Sequence, residues 1–147
     1  MLVRRLNHYN VLTTDLDATT TFYERVLDMK VGPPPSGDRL RGAWIYDGEG
    51  TPVVHVQFVD PAEPERKFAD IRKRLGEMAD GLSLASMQGT GVIEHIAFEC
   101  TDYDTVAARL RDNGLAYRAN EAPMARLRQL FVKDPNGITL ELNFAMA

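Results

Sequence analysis

The sequence predicts an α+β protein built from two tandem βαβββ modules. The first observation is an internal repeat, because a shift of 87 residues places the pattern H-x(5)-T-D-x-D at His8 onto the same pattern at His95. The second is that each copy begins with strand-like alternation and continues with apolar residues at helical spacing. The third is that each copy ends in a turn between two strands, at Asp47 and at Asp134.

The first module is predicted to open with a strand over His8–Thr13, followed by a helix that Asp15 caps. Apolar residues four positions apart make this helix amphipathic: Phe22 with Val26, and Tyr23 with Leu27. Further strands follow, and the last hairpin turns over Asp47–Gly50.

The second module repeats these elements. A strand over His95–Cys100 leads to a helix that Asp102 caps and that ends at Asn113-Gly114. The final hairpin turns over Asp134–Gly137, and beyond it the shift becomes 86, which indicates one residue deleted in a turn. Residues 60–90 have no counterpart in the repeat, so they are interpreted as a connection, serving either as a spacer or as a lid.

Length and charge narrow the classes of function. With 147 residues, the chain is expected to form a single domain, with modules over residues 1–59 and 91–147. The net charge of −4 gives no attraction to nucleic acid or anionic lipid. Since no apolar run approaches the roughly 20 residues of a membrane span and MLVRRLNHYN lacks the apolar core of a secretion signal, we expect a cytoplasmic protein.

Strand alternation places every histidine of the chain on the face turned away from the helices. His8, His55 and His95 share this face with Glu141, while the opposite face of each strand is apolar. If the sheet curls, three imidazoles and a carboxylate converge, a donor set suited to zinc, nickel, iron or manganese. One such histidine alone would be interpreted as a surface residue; four residues at repeated positions favour a divalent metal.

The sequence resembles the vicinal oxygen chelate superfamily, which includes glyoxalases, bleomycin resistance proteins and extradiol dioxygenases. The resemblance covers nearly the whole chain and rests on three segments, of which the last is the most specific: NHYNVLTTDLDATTTFYERVLDMKVG, IEHIAFECTDYD and RLRQLFVKDPNGITLELNF. It implies a cupped, partly open mixed sheet with helices outside, in which His8, His55, His95 and Glu141 take the ligand positions. It also implies a homodimer and a small substrate that binds the metal through adjacent oxygens.

The resemblance leaves the reaction open. Enzymes resembling glyoxalase I usually place a carboxylate or glutamine where this chain has His55, and a two-histidine, one-carboxylate set is typical of non-heme iron oxygenases. Dioxygenase chemistry is therefore favoured slightly over lyase or isomerase chemistry. A protein that binds a drug or metabolite without turnover is the alternative from another class.

Several other residues are candidates for the site. Glu141 is the catalytic candidate, because a ligand that dissociates could also accept a proton. The candidates for substrate binding share the strand phase of the ligands or lead into the final hairpin: Gln57, Asn143, Arg126 and Arg128. The lone Cys100 is interpreted as a buried structural thiol.

Overall fold

Two four-stranded sheets carry the same strand order, as the repeat predicts. The computed structural model describes residues 2–34 and 42–146. The first sheet contains β1 (Tyr9–Thr13), β2 (Lys30–Gly32), β3 (Gly42–Tyr46) and β4 (Pro52–Phe58) in the order β1-β4-β3-β2; the second contains β5 (Ile96–Cys100), β6 (Tyr117–Ala122), β7 (Leu127–Lys133) and β8 (Thr139–Ala145) in the order β5-β8-β7-β6. In each sheet the first strand of the module is parallel to the last and the other pairs are antiparallel. The predicted α+β class and its two βαβββ modules are confirmed.

The chain divides into two compact units that correspond to the modules. The first unit contains the N-terminal module and the connecting segment as far as Met87, and the second begins at Gln88 and includes residues 25–27. The connecting segment therefore belongs with the first module. The expected single domain stays a prediction.

The two module helices occupy equivalent positions and are capped in the same way. They are α1 (Leu16–Arg25) and α3 (Tyr103–Asp112), which again differ by 87 positions. The Asp15 carboxylate accepts from the Ala18 N–H over 2.9 Å, and the Asp102 carboxylate accepts from the Thr105 N–H over 3.1 Å. Both predicted caps are confirmed. No helix within residues 2–34 and 42–146 is long and apolar enough to cross a membrane.

Each sheet packs its apolar face against its own helix, as the alternation predicts. In the first module, the hydroxyls of Tyr9 and Tyr23 lie 3.1 Å apart, and Thr13 contacts Thr19 through hydroxyls 3.0 Å apart. In the second, the ring of Tyr103 meets that of Phe144 at 5.2 Å. Eight apolar strand residues on these faces are at most 3% exposed: Val11, Val54, Val56, Leu130, Val132, Leu140, Leu142 and Phe144. The remaining face of each sheet carries the candidate ligands.

The single-residue change in the repeat lies in a strand and not in a turn. Asp47 and Asp134 each accept two backbone N–H groups, and Gly50 and Gly137 both have positive φ, at 77° and 78°. The two turns are therefore equivalent. In the first sheet Ile45 pairs with Val54 but Tyr46 pairs with Pro52, so that β4 carries an additional residue as a β-bulge.

The connecting segment folds against the polar face of the first sheet. It forms α2 (Pro64–Leu75) and two short 3₁₀ turns over Gly76–Ala79 and Leu84–Ser86. Phe68, Ile71 and Ala79 form a buried cluster with Val59, and Leu12 of the sheet packs against it. Because Leu12 lies on the face opposite α1, the segment covers part of the face that carries the histidines. It is more than a spacer.

Candidate metal centre

The second module brings two of the predicted ligands into contact. His95 lies immediately before β5, and Glu141 lies in β8 beside Ala97 of that strand. The Nε2 atom of His95 is 3.1 Å from Oε2 of Glu141. Their side chains are 32% and 13% exposed, so solvent reaches the imidazole while the carboxylate is largely shielded.

Two amides hold the other oxygen of this carboxylate. Asn143 donates from Nδ2 to Oε1 of Glu141 over 2.7 Å, and Gln129 donates from Nε2 to the same oxygen over 3.1 Å. Gln129 itself accepts from Asn120 over 2.7 Å. Oε2 is therefore the oxygen of Glu141 that remains directed at His95, and the carboxylate has a defined orientation.

Gln129 is a residue of the site that the sequence analysis missed. It pairs with Asn143 across β7 and β8 and with Asn120 across β6 and β7. Because directly paired residues lie on the same side of a sheet, these three amides form one row on the polar face. The alternation of β7 contains this signal, since Gln129 is two positions before Phe131, the partner of Glu141.

His8 and His95 each have an oxygen acceptor at Nδ1. Nδ1 of His8 lies 2.6 Å from Oδ1 of Asn7, and Nδ1 of His95 lies 2.7 Å from Oε2 of Glu94. The amide oxygen of Asn7 only accepts, so the proton of the neutral His8 ring lies on Nδ1 and its Nε2 lone pair is available, as a metal ligand requires. His95 has an accepting carboxylate oxygen at each ring nitrogen, Glu94 at Nδ1 and Glu141 at Nε2, and its Nε2 becomes a ligand in the tautomer that donates to Glu94.

His55 has the opposite arrangement. The side-chain amide of Asn10 donates from Nδ2 to Nδ1 of His55 over 2.8 Å. The proton of the neutral His55 ring is therefore on Nε2, which becomes a donor instead of a ligand. Burial lowers the pKa of His55, and the positive charges of His8, Lys67 and Arg74 lower it further, so the neutral ring is favoured.

Two aromatic rings, those of Trp44 and His8, lie beside His55. Trp44 and His55 are directly paired on β3 and β4, and their rings stack with centroids 4.3 Å apart and planes inclined by 6°. His8 meets the Trp44 ring edge-on at 4.8 Å, and its own centroid is 6.1 Å from that of His55. The polar face of the first module therefore also offers a flat stacking surface.

Each module by itself presents a pair of candidate ligands. In the described part of the chain, no group of three or more His, Cys, Asp or Glu side chains could hold a metal ion. The convergence of His8, His55, His95 and Glu141 on one ion stays a prediction. The pair in the second module fits a metal, because two ligands at right angles with bonds of about 2.1 Å lie roughly 3.0 Å apart, close to the observed 3.1 Å.

The predicted substrate-binding residues lie in different surroundings. Asn143 is engaged with Glu141, and Gln57 is only 3% exposed on the polar face of the first sheet. Arg126 is exposed and lies just before β7, where its backbone is left-handed with a φ of 55°. These three side chains therefore form no single substrate contact surface within either module.

Arg128 lies on the helix face of the second sheet, and its expected contact to substrate stays a prediction. It pairs with Phe144, whose side chain lies on the helix face of the second sheet. Its guanidinium carbon is 3.4 Å from the centroid of the Tyr103 ring, a cation-π contact. Arg128 is thus on the opposite side of the sheet from Glu141, because alternation placed its neighbour Gln129 on the polar face.

Comparison with known proteins decides the family. The sequence profile of the Glyoxalase/Bleomycin resistance protein/Dioxygenase superfamily matches residues 5–142. The chain belongs to this superfamily. The superfamily's description covers enzymes and resistance proteins alike, so membership leaves the reaction open.

Individual superfamily members share the fold at low identity. The chain is 27% identical over 139 residues to "Glyoxylase I 4" of Arabidopsis thaliana. The aligned region covers 93% of this chain and 68% of the plant protein. Among solved structures, the fosfomycin resistance protein FosX of Mesorhizobium loti has a TM-score of 0.61 at 19% identity, with 99% of this chain and 95% of FosX covered. TnmS3, an antibiotic-binding protein from Streptomyces, has a TM-score of 0.59 at 18% identity, with coverage of 99% and 98%. These structural likenesses establish the two-module fold.

Proposed function

We propose that the chain is a divalent-metal-dependent enzyme that binds a small substrate through two adjacent oxygens. The proposed ligands are Nε2 of His8, Nε2 of His95 and Oε2 of Glu141. The observation that carries the proposal is the contact in the second module, where Nε2 of His95 lies 3.1 Å from Oε2 of Glu141. Nδ1 of each proposed histidine ligand has an oxygen acceptor, Asn7 for His8 and Glu94 for His95. Two imidazoles and one carboxylate suit iron, manganese, nickel or zinc, and leave positions for a chelating substrate.

The proposal narrows the predicted ligand set by one residue. Since Asn10 donates to Nδ1 of His55, the Nε2–H of that ring is assigned as a donor to a substrate oxygen. The stacked indole of Trp44 holds the ring in this orientation. His55 therefore binds substrate, while His8 binds metal.

Dioxygenase-type chemistry is the leading reaction. A bound metal of this kind supplies Lewis-acid activation of substrate oxygens and, for iron, a site for O₂. The two amide hydrogen bonds to Oε1 keep Glu141 oriented as a ligand and oppose its dissociation to act as a base. A lyase or isomerase of glyoxalase type is the second candidate, favoured by the similarity to the plant Glyoxylase I 4.

Metal content tests the ligand set. We expect stoichiometric divalent metal in the purified wild type and in His55→Gln, and loss of metal in His8→Gln, His95→Gln and Glu141→Gln. His55→Gln is the matched control, because it changes the same residue type on the same face. Full retention of metal in His95→Gln would refute the proposed ligands, and loss in His55→Gln would restore the four-ligand prediction.

A substrate panel tests the reaction. Anaerobic protein loaded with Fe²⁺ is mixed with a catechol and then with oxygen, and ring opening is followed by absorbance. Turnover of hemithioacetals without any catechol reaction would replace the dioxygenase assignment by the lyase assignment. Binding of these compounds with no turnover under either condition would indicate a metabolite-binding protein.

Both modules contribute ligands in this proposal, within a chain or across a homodimer. Mixing His8→Gln with Glu141→Gln under refolding conditions distinguishes the two arrangements. If one chain's first module pairs with its partner's second module, mixed dimers regain one intact site and bind metal. If the modules pair within a chain, the mixture binds no more metal than the separate variants.

A further inference from the structure

A cavity of about 400 Å³ lies inside the first unit, between the polar face of its sheet and the connecting segment. The sheet contributes Asn10, Leu12 and Gln57 to its wall. The opposite wall comes from α2 and the turn after it, including Ile71, Arg74 and Met78. Because residues 60–90 have no counterpart in the second module, the repeat does not generate an equivalent of this wall there.

Gln57 is a buried amide that faces this cavity. The residue is 3% exposed and lines the wall, and within residues 2–34 and 42–146 its side chain makes no hydrogen bond. No fully buried side-chain nitrogen or oxygen in this part of the chain lacks a partner, so the Gln57 amide is open to the cavity. A polar ligand in the cavity would therefore find this amide free to hydrogen-bond.

The mouth of the cavity carries a cation. Arg74 is exposed there, and no ion pair engages it within the described residues. By contrast, Arg72 is bonded to Glu65 over 2.8 Å, which raises the pKa of Arg72, and the charge of Asp80 adds to this effect. Asp80 also lines the cavity, and within the described residues no ion pair joins it to Arg74. Arg74 is therefore the cation left for a ligand.

The rest of the wall is mainly apolar. Leu12 and Ile71 form the inner part, and Leu75 and Met78 lie at the mouth with 39% and 84% of their surfaces exposed. Exposed apolar side chains around a cavity are typical of a ligand-binding surface. A carboxylate at the mouth and an apolar body inside would match this distribution.

We propose that this cavity binds a small apolar carboxylic acid. Arg74 pairs with its carboxylate, Gln57 hydrogen-bonds to it, and Leu12 and Ile71 contact its apolar body. Asn10 lines the same cavity and donates to His55 over 2.8 Å, so the bound acid lies next to the histidine face. The assignment of this acid as part of the substrate rests on the proposed function. Binding of the acid itself requires no metal.

Calorimetric titration of the metal-free, full-length protein with phenylacetate and phenylacetamide tests the assignment. The two probes have the same apolar body and differ in charge. We expect saturable binding of phenylacetate and at least tenfold weaker binding of phenylacetamide. The fluorescence of the single tryptophan, Trp44, provides a second readout beside His55.

Two variants and one control complete the design. Arg74→Gln should remove the preference for the carboxylate, and Gln57→Leu should weaken both probes. Lys73→Gln is the control, because Lys73 is the neighbouring cation on α2 and its side chain is 81% exposed. Since Arg74 is exposed, its variant remains informative even where Gln57→Leu does not fold.

The outcomes separate this assignment from the proposed function. Absence of saturable phenylacetate binding, equal binding of the two probes, or unchanged affinity in Arg74→Gln would overturn the cavity assignment. Retained metal in the same protein would leave the metal proposal standing. Conversely, phenylacetate binding by a protein that takes up no metal would support the cavity and refute the metal-dependent function.

Discussion

Gln129 donates a hydrogen bond of 3.1 Å to Glu141 from the neighbouring strand, on the oxygen that does not face His95. The contact orients a proposed metal ligand without touching the metal position itself. Partners of this kind typically change metal affinity by about 10-fold to 100-fold when they are removed.

Gln129→Leu should weaken metal binding by roughly 10-fold to 100-fold, because Glu141 loses one of the donors that set its orientation. Competition with a chelator of known affinity measures the change. Glu99→Gln serves as the control, since Glu99 is exposed in the same row of the second sheet. Equal affinities of wild type and Gln129→Leu would show that this hydrogen bond does not position the carboxylate.

The pKa of His55, which accepts a hydrogen bond from Asn10, should lie below its usual range. Burial, followed by the charges of His8, Lys67 and Arg74, lowers the pKa of His55 from 6.5. Because the folded state binds this proton less readily than the unfolded state, its contribution to stability is present above about pH 6.5 and is lost as the pH falls toward the lower folded value. NMR titration of metal-free protein should show the pKa of His55 rising in Arg74→Gln, and no rise would contradict the assigned cause.

Cys100 should react slowly with thiol reagents in the native protein. Burial raises the pKa of this thiol from 9.0 to about 11, so its thiolate fraction at pH 8 falls by roughly 100-fold. Alkylation by iodoacetamide should therefore be about 100-fold slower in native than in urea-unfolded protein. Comparable rates in the two states would show that the thiol is not shielded as the structure indicates.

The two equivalent turns should differ in their contribution to stability. Asp134 is 4% exposed and accepts the N–H groups of Asn136 and Ile138 in buried hydrogen bonds. Asp134→Ala leaves these donors without that carboxylate, and should lower the free energy of unfolding by about 1–3 kcal/mol. Asp47→Ala should be milder, because its turn is more exposed. Urea denaturation measures both variants, and Asp134→Asn, which keeps an acceptor oxygen, is the control.

Arg128 should contribute to the stability of the fold and not to ligand binding. Its guanidinium covers the Tyr103 ring at 3.4 Å, so Arg128→Leu should lower the free energy of unfolding by about 1 kcal/mol. The affinities for metal and for phenylacetate should stay unchanged. Arg126→Gln is the comparison, as it removes a nearby exposed cation without a ring contact. Loss of phenylacetate binding in Arg128→Leu alone would return Arg128 to the substrate site.

Local pattern was sufficient to predict the elements and their faces. The caps at Asp15 and Asp102, the turns at Asp47 and Asp134 and the alternation around Glu141 all follow from residues close together in the chain. Pairing details were not predictable in the same way. The bulge in β4 and the placement of Arg128 opposite Phe144 depend on strand register, which is determined by contacts between distant segments.

By itself, the sequence determined the duplicated βαβββ order and the face that carries the candidate ligands, because a repeat and a two-residue period are properties of neighbouring residues. Tertiary structure alone decided which nitrogen His55 presents, since Asn10 of a different strand donates to its Nδ1. It also decided that the connecting segment covers the first sheet, because α2 buries Phe68 and Ile71 against Val59 and Leu12, residues that come from outside the segment.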